Sequence, residues 1–397
     1  MKRYWKMLLI SIVSVIAIGF YYIQVAIAGK GDSPFKIDTM SGNEMEIENI
    51  SLEAYFVGGH FQRQLYISKD GSTSTHSNRS QRYNWLKPYI SDNVQKYIEE
   101  HRQFMRGKQY FEENYFKDEA RLIYAAIQDF DQARPGDSLI MEIDVLDVKT
   151  DERSSFEIQV PVEESYYWMG VSDVYMQNGK IKIVAAGSHV NGGDTLRIFT
   201  VDEKSKALQE DKLIGKVTSE AGIYRGLHMF TNTNELLNDN YYLYEIKEHK
   251  ERSDGPTNQL LSHQLYAFNK LNNEVEEIVI PTELKPKMTF LYGAQVFMPT
   301  YSANGIELNH YSIETQQWEE PLHYDYPITV TNEEDAPLVQ LMDEKLYIVN
   351  RVAGESFLYI GDLRTGESLY EGKITADQKD SLTLNRQLRI STVLKNN

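Results

Sequence analysis

The chain has no cysteine among its 397 residues. Disulfides, thiolate nucleophiles, cysteine zinc sites and a lipid-modified N-terminal Cys are all excluded. An exported domain built from this sequence must hold itself together by packing. Catalytic signatures are missing as well. There is no G-x-S-x-G, no H-E-x-x-H and no Walker lysine loop. The one S-x-x-K match beyond the first apolar run, Ser33 to Lys36, has no strand-turn-helix context. The nine His are scattered, and no two stand four apart as helical metal ligands would. The sequence therefore names no metal and no cofactor.

Positive charge is also in short supply. The chain carries 41 Lys and Arg against 58 Asp and Glu, a net charge of −17. Lys2, Arg3 and Lys6 all precede the first apolar run, so the remainder holds 38 basic and 58 acidic residues, or −20. Nucleic-acid binding needs cationic surface, and so does docking on anionic lipid. Neither is expected here. Acidity of this kind keeps an exposed domain soluble.

Only one long hydrophobic run is present. Met7 to Ala28 is uncharged, and a bilayer core needs about 20 such residues. The basic residues before it place residues 1–6 in the cytoplasm, and Trp5 and Tyr21-Tyr22 suit interfacial depths. This predicts a single-pass anchor over 7–28, a linker over 29–44 and an extracytoplasmic domain over 45–397. The alternative is a signal peptide, cleaved after the small-x-small triplet Ala26-Ile27-Ala28 to give a secreted protein. The anchor reading rests on the length of the apolar core, which exceeds the roughly 7–15 residues of a signal peptide.

What the sequence does have is tyrosine, 27 of them, and short alternating strands. Tyr suits a half-buried strand face, with an apolar ring and a polar tip. The clearest unit is Lys345–Asn350, Phe357–Asp362 and Ser368–Gly372, read as strand, loop, strand, tight turn, strand. It recurs upstream. The apolar residue at the tight turn (Val148, Val201, Leu271, Ile313, Leu363) repeats at spacings of 53, 70, 42 and 50 residues. A first strand is expected near Met45–Ile50, and a degenerate first copy covers residues 51–71. Gln387–Leu394 has no turn after it and is expected to close a ring by pairing with that first copy. Between the first and second copies, Val94, Tyr97, Ile98, His101, Phe104 and Met105 fall at helical spacing, predicting an inserted amphipathic helix over 91–106.

Repeats of this length, each of three or four antiparallel strands, resemble the blades of a β-propeller. The resemblance covers residues 45–395 and implies an all-β fold of six or seven blades. No copy carries the Trp-Asp or Gly-His pair at the WD40 positions, and a kelch-type Gly-Gly before an aromatic pair does not recur in every copy, so no named family is indicated. An N-terminal anchor before an acidic, Cys-free propeller is similar to bacterial envelope proteins.

Within a blade, the turn between third and fourth strands opens on one face, and here these turns are short and uniform. The connections on the other face vary in length, and variable loops on a rigid scaffold carry binding residues. Four sets of candidates follow. Gly187–Asp194 places Ser188, His189, Asn191 and Asp194 on one Gly-rich loop, able to meet a cation or a close-approaching ligand. Gly58, Gly59 and His60 form a second such loop. Asn350 and Arg351 stand at a strand exit, where Arg can pair a carboxylate. Arg225 and His228 lie between blades and can reach the axial funnel. Tyr166-Tyr167-Trp168 reads as packing between blades. The expected role is non-catalytic binding or scaffolding at the envelope, with an envelope protein or cell-wall component as partner. The alternative is a glycan hydrolase or lyase, which would require His189, Asp194 and His228 to converge.

Overall fold

A computed structural model describes residues 35–58, 61–74, 90–128, 132–230, 240–250, 259–284, 288–302, 305–328, 336–376 and 388–396. The apolar run over 7–28 and its proposed cleavage site lie outside these residues. Among the described residues, no helix is long and apolar enough to cross a membrane.

The described residues form six antiparallel sheets, each of four or five strands, and the chain is a β-propeller. The sheets are numbered here as blades 1 to 6 in chain order. Neighbouring blades meet through apolar clusters. One cluster joins blade 2 to blade 3 through Ile123, Met141, Ile183 and Phe199. Others join 3 to 4, 4 to 5, 5 to 6 and 6 to 1. Burial explains why the middle strands read as continuous apolar runs. In blade 6, Leu346–Asn350 are buried without interruption, because blades 5 and 1 cover both faces. The outermost strand of blade 2, Arg153–Pro161, has a solvated face and reverts to alternation.

Both chain ends enter the ring at blades 6 and 1. Leu388–Lys395 pairs with Ile50–Gly58 and becomes the innermost strand of blade 1, as the sequence predicts for 387–394. Phe35–Gly42 pairs with Ser368–Ala376 and adds a fifth, outermost strand to blade 6. This corrects the reading of 29–44 as linker: Phe35 and Ile37 are buried against blade 6. The strand expected near Met45–Ile50 is instead a 3-10 turn, Glu44–Ile47, between two strands that belong to different blades. The inserted helix is present as two pieces, Asp92–Glu100 and Arg102–Met105, with Ser91 capping the first. They bury Val94, Tyr97, Phe104 and Met105 against Tyr115, Leu122, Tyr124 and Leu146 of blade 2.

The repeat is marked by its turn chemistry more than by an apolar residue. At the end of the third strand, Asp147, Asp202, Asn269, Ser312 and Asp362 each accept backbone N–H groups two or three residues on. Such Asx and Ser turns mimic a backbone turn. Four residues after each cap, Asp151, Lys206, Asn273, Gln316 and Gly366 take positive φ, between 53° and 73°. Val201 precedes its cap while Val148, Ile313 and Leu363 follow theirs, so the apolar spacing is only an approximate register.

Candidate ligand-binding site at the loop face

Two of the four candidate sets come together. In blade 3 the strands Lys180–His189 and Asp194–Asp202 are joined by residues 190–193. This loop docks on the connection from blade 3 to blade 4: a Cβ on Gly193 would sit 2.3 Å from the Val217 carbonyl oxygen, and φ there is +96°. Only glycine fits such an approach at such an angle. The Asp194 carbonyl accepts the Val217 N–H at 2.9 Å. The Asp194 side chain then takes two partners. Oδ1 accepts the Ser188 hydroxyl at 2.7 Å, and Oδ2 accepts the Leu227 N–H at 3.0 Å. Leu227 lies on Ile223–Phe230, the innermost strand of blade 4. One carboxylate thus fixes Ser188 and the 223–230 strand to each other.

Alternation along the strands sends the neighbouring side chains to different faces. His189 turns away from Asp194. It stacks on Tyr166 with ring centroids 4.7 Å apart, and its Nδ1 lies 3.4 Å from Glu164. Burial holds its pKa below the ordinary 6.5, with Glu164 opposing part of that effect. His228 is exposed and pairs in register with Glu245, on the side of blade 4 away from Leu227. Glu245 is buried and receives hydrogen bonds from His263 Nε2, at 2.8 Å, and from Lys247 Nζ. Burial acts to raise its pKa, but those two donors hold it below the ordinary value. His189, Asp194 and His228 therefore do not share one pocket.

Three of the remaining candidates, Arg225, Asn350 and Arg351, are engaged within the fold. Arg225 donates to the Thr218 carbonyl at 3.1 Å, to Glu220 at 2.9 Å and to Glu248, which spends its charge locally. Asn350 is buried and donates to the Pro327 carbonyl at 2.8 Å. Arg351 donates to the Leu388 carbonyl, tying blade 6 to the closing strand. Asn191 is exposed at the loop tip. Gly58 ends its strand, and Gly59 and His60 lie outside the described residues.

Sequence reading missed the aromatic surface beside this junction. Tyr166 is buried, as packing requires, but Tyr167 is 66% and Trp168 51% exposed. Both lie on Tyr166–Gln177, the innermost strand of blade 3. Trp168 pairs with Ser188 and shares its face of the sheet. Tyr224, on the innermost strand of blade 4, is 43% exposed. A Tyr-Tyr-Trp run has no sequence signal that separates its buried member from the two left in solvent.

A cavity of about 590 Å³ opens on the other face. It is lined by the turns of blades 4 and 5, among them Asn272, Asn273, Glu274, Glu276, Glu314 and Gln316. Much of its polar lining is already paired. Lys212 donates to the Asn273 carbonyl, Asn272 to Glu274, and Tyr311 to Glu276. Volume alone favours it; the open aromatic surface favours the junction of blades 3 and 4, and hydrogen-bonding capacity already spent makes the cavity the weaker site. Among the described residues, no group of three His, Asp or Glu is placed to hold a metal ion.

No protein-family model matches the chain. No curated protein matches it either. Solved structures do. An uncharacterized protein from Listeria monocytogenes aligns at 9% identity over 68% of this chain and 69% of that one, with a TM-score of 0.35. The β-propeller domain of the Trilobed protease from Pyrococcus furiosus aligns at 11% identity over 87% and 86%, TM-score 0.31. TolB from Acinetobacter baumannii aligns at 9% over 86% of this chain and 66% of that one, TM-score 0.28. The likeness is one of fold: a β-propeller, of no named family.

Proposed function

We propose that this chain is a non-catalytic binding protein whose ligand docks on the loop face where blades 3 and 4 meet. The observation that carries this reading is the Asp194 cross-link. It holds a Gly-rich loop and the innermost strand of blade 4 in one rigid unit, beside large aromatic side chains left in solvent. Preorganised apolar surface with polar neighbours is what a binding site needs, since ordering costs are met on folding. The apolar run over 7–28 supports a place at the outer face of a bacterial cell membrane, with an envelope protein or wall component as ligand.

The test is photo-crosslinking in intact cells. A benzophenone amino acid at Asn191, exposed at the tip of the 190–193 loop, is expected to capture ligand, and the same group at Arg364, on the turn face, is not. Capture at Arg364 without capture at Asn191 would overturn the assignment of the face.

A further inference from the structure

We infer that blade 4 is completed by a strand from another protein: an extended apolar peptide segment with basic flanks pairs along the outer edge of residues 259–264. This goes beyond the junction reading above, because the edge belongs to the outer half of blade 4 and shares no residue with the Asp194 loop.

The third strand of blade 4 outruns its fourth. Gln259–Asn269 has eleven residues and Glu274–Ile278 has five. The register pairs 265–269 with that fourth strand, so the other six, 259–264, have no backbone partner on the outer side among the described residues. Blades 2, 3 and 6 cover their third strands nearly end to end, with Arg153–Pro161, Ala207–Lys216 and Ser368–Ala376. Blade 5 divides the task between Gln317–Trp318 and Leu322–Tyr324. The early stop in blade 4 has a local cause. The Val279 carbonyl accepts the Trp318 indole N–H of blade 5 at 3.0 Å, and Pro281, which has no N–H to give a ladder, follows.

An open edge presents N–H and C=O groups at strand spacing, with alternate residues directing both to the open side. The group that matches such an array is another extended backbone. Proteins guard open edges with charge or proline. The outermost strands of this chain are charged: Arg153–Pro161 carries Arg153 and Glu157, and Ala207–Lys216 carries Glu210, Asp211, Lys212 and Lys216. Residues 259–264, Gln-Leu-Leu-Ser-His-Gln, have neither charge nor proline. Leu260 is 50% and Leu261 46% exposed, which gives an incoming strand apolar side chains to pack on. Leu261 is the extra residue of a bulge, since Ser262 stands opposite Glu248 and Leu260 opposite His249. A bulge does not bar pairing on the other side. In blade 6, Leu369 is bulged against Glu355–Asp362, yet Phe35–Gly42 covers its outer side and the Asn43 N–H reaches the Leu369 carbonyl at 3.1 Å. The fold thus already completes one blade edge with a strand from the far end of the chain.

Charge selects the flanks. The adjoining fourth strand carries Glu274, Glu276 and Glu277, and the chain beyond residue 29 is −20. A segment with Lys or Arg beside its apolar residues is drawn in, and a second copy of this chain, equally acidic, is repelled.

The experiment pans a phage-displayed library of linear random peptides against the full chain in detergent, and the enriched sequence is synthesised. Alternating β-branched and apolar residues flanked by Lys or Arg are expected. The peptide should slow hydrogen exchange at residues 259–264 and leave 153–161 unchanged. Leu260→Lys and Leu261→Lys should each weaken it by roughly tenfold, with the thermal melt unaltered because both side chains are exposed. Methylating alternate backbone nitrogens of the peptide should abolish binding in one phase and spare it in the other, which packing alone would not produce. An absence of enriched sequences overturns the inference. So does a peptide that binds both Lys variants as well as wild type, or one that tolerates methylation equally in both phases. Light scattering that finds the wild-type chain dimeric and Leu261→Lys monomeric would put a second copy on this edge and overturn the partner peptide.

Discussion

Asp194 accepts the backbone N–H of Leu227 at 3.0 Å, and through that bond the second-to-third-strand loop of blade 3 is fixed to the first strand of blade 4. Leu227 is buried, so its N–H has no water to fall back on. Asp194→Ala is expected to leave that donor orphaned, at a cost of about 1–3 kcal/mol. Asp194→Asn keeps one oxygen for Leu227, and its amide can donate to the Ser188 hydroxyl, so it should cost less than half as much. Denaturant unfolding of the two variants checks the order. Equal losses would mean that the charge, rather than the bond to Leu227, is what matters.

His189 makes the same loop sensitive to pH. Its pKa is lowered in the folded chain because burial disfavours the imidazolium. The unfolded chain then binds the proton more readily than the folded one. The stability is fully present above the ordinary value of 6.5 and is lost as pH falls through that value toward the folded pKa. Hydrogen exchange at residues 188–194 should therefore quicken between pH 7 and pH 5 beyond the intrinsic pH trend. The excess should vanish in His189→Gln, while amides of blade 6 show none in either protein.

The five third-to-fourth-strand turns differ at the left-handed position. Blade 6 has Gly366 there, whereas blades 3 and 5 have Lys206 and Gln316 at φ of 53° and 56°. A side chain in that region costs roughly 1–2 kcal/mol, and glycine returns part of the gain as unfolded-state entropy. Gln316→Gly and Lys206→Gly should each stabilise by about 0.5–1 kcal/mol. Asp362→Ala, which removes the cap at the other end of a turn, should destabilise by about 1 kcal/mol. Thermal or denaturant melts of the three single variants give both signs in one series.

How much of this was written in the sequence follows from the range of each interaction. The caps and left-handed residues of the turns act within five residues, so the repeat and its period could be read directly. The closing strand was also legible, because 387–394 is an apolar run with no turn after it. Phe35–Gly42 was not. Its partner strand lies more than 300 residues away, and only Phe35 and Ile37 mark its buried face beside a flank rich in Gly, Ser and Asp. Asn350 and Arg225 looked like ligand groups because their type and position allow it. Their partners, the Pro327 carbonyl and Glu248, come from other stretches of chain that no local pattern announces. Trp168 was hidden for the opposite reason: a tryptophan packed between blades and one left half in solvent have the same side chain, and only the folded structure tells them apart.

A buried amide ties the closing strand to blade 6. Gln340 of blade 6 donates from Nε2 to the Val393 carbonyl at 2.7 Å, and its Oε1 accepts the Val393 N–H at 2.9 Å and the Thr392 hydroxyl at 3.1 Å. It is 4% exposed, and Val393 is 1%. One side chain thereby satisfies both backbone groups of a residue on the closing strand. Gln340→Leu preserves volume and removes every one of these bonds. Two buried backbone groups lose their partner, at about 1–3 kcal/mol each, and the loss should exceed that of Asp194→Ala. Gln340→Glu keeps the acceptors and loses the donor, so it should fall between wild type and Leu above pH 7, where it also buries a charge, and improve on acidification. A protease added under native conditions reports the consequence in place. Cleavage near residues 388–396 should rise in Gln340→Leu before any other part of the propeller is cut, and a uniform rise across all six blades would show that the closing strand does not open on its own.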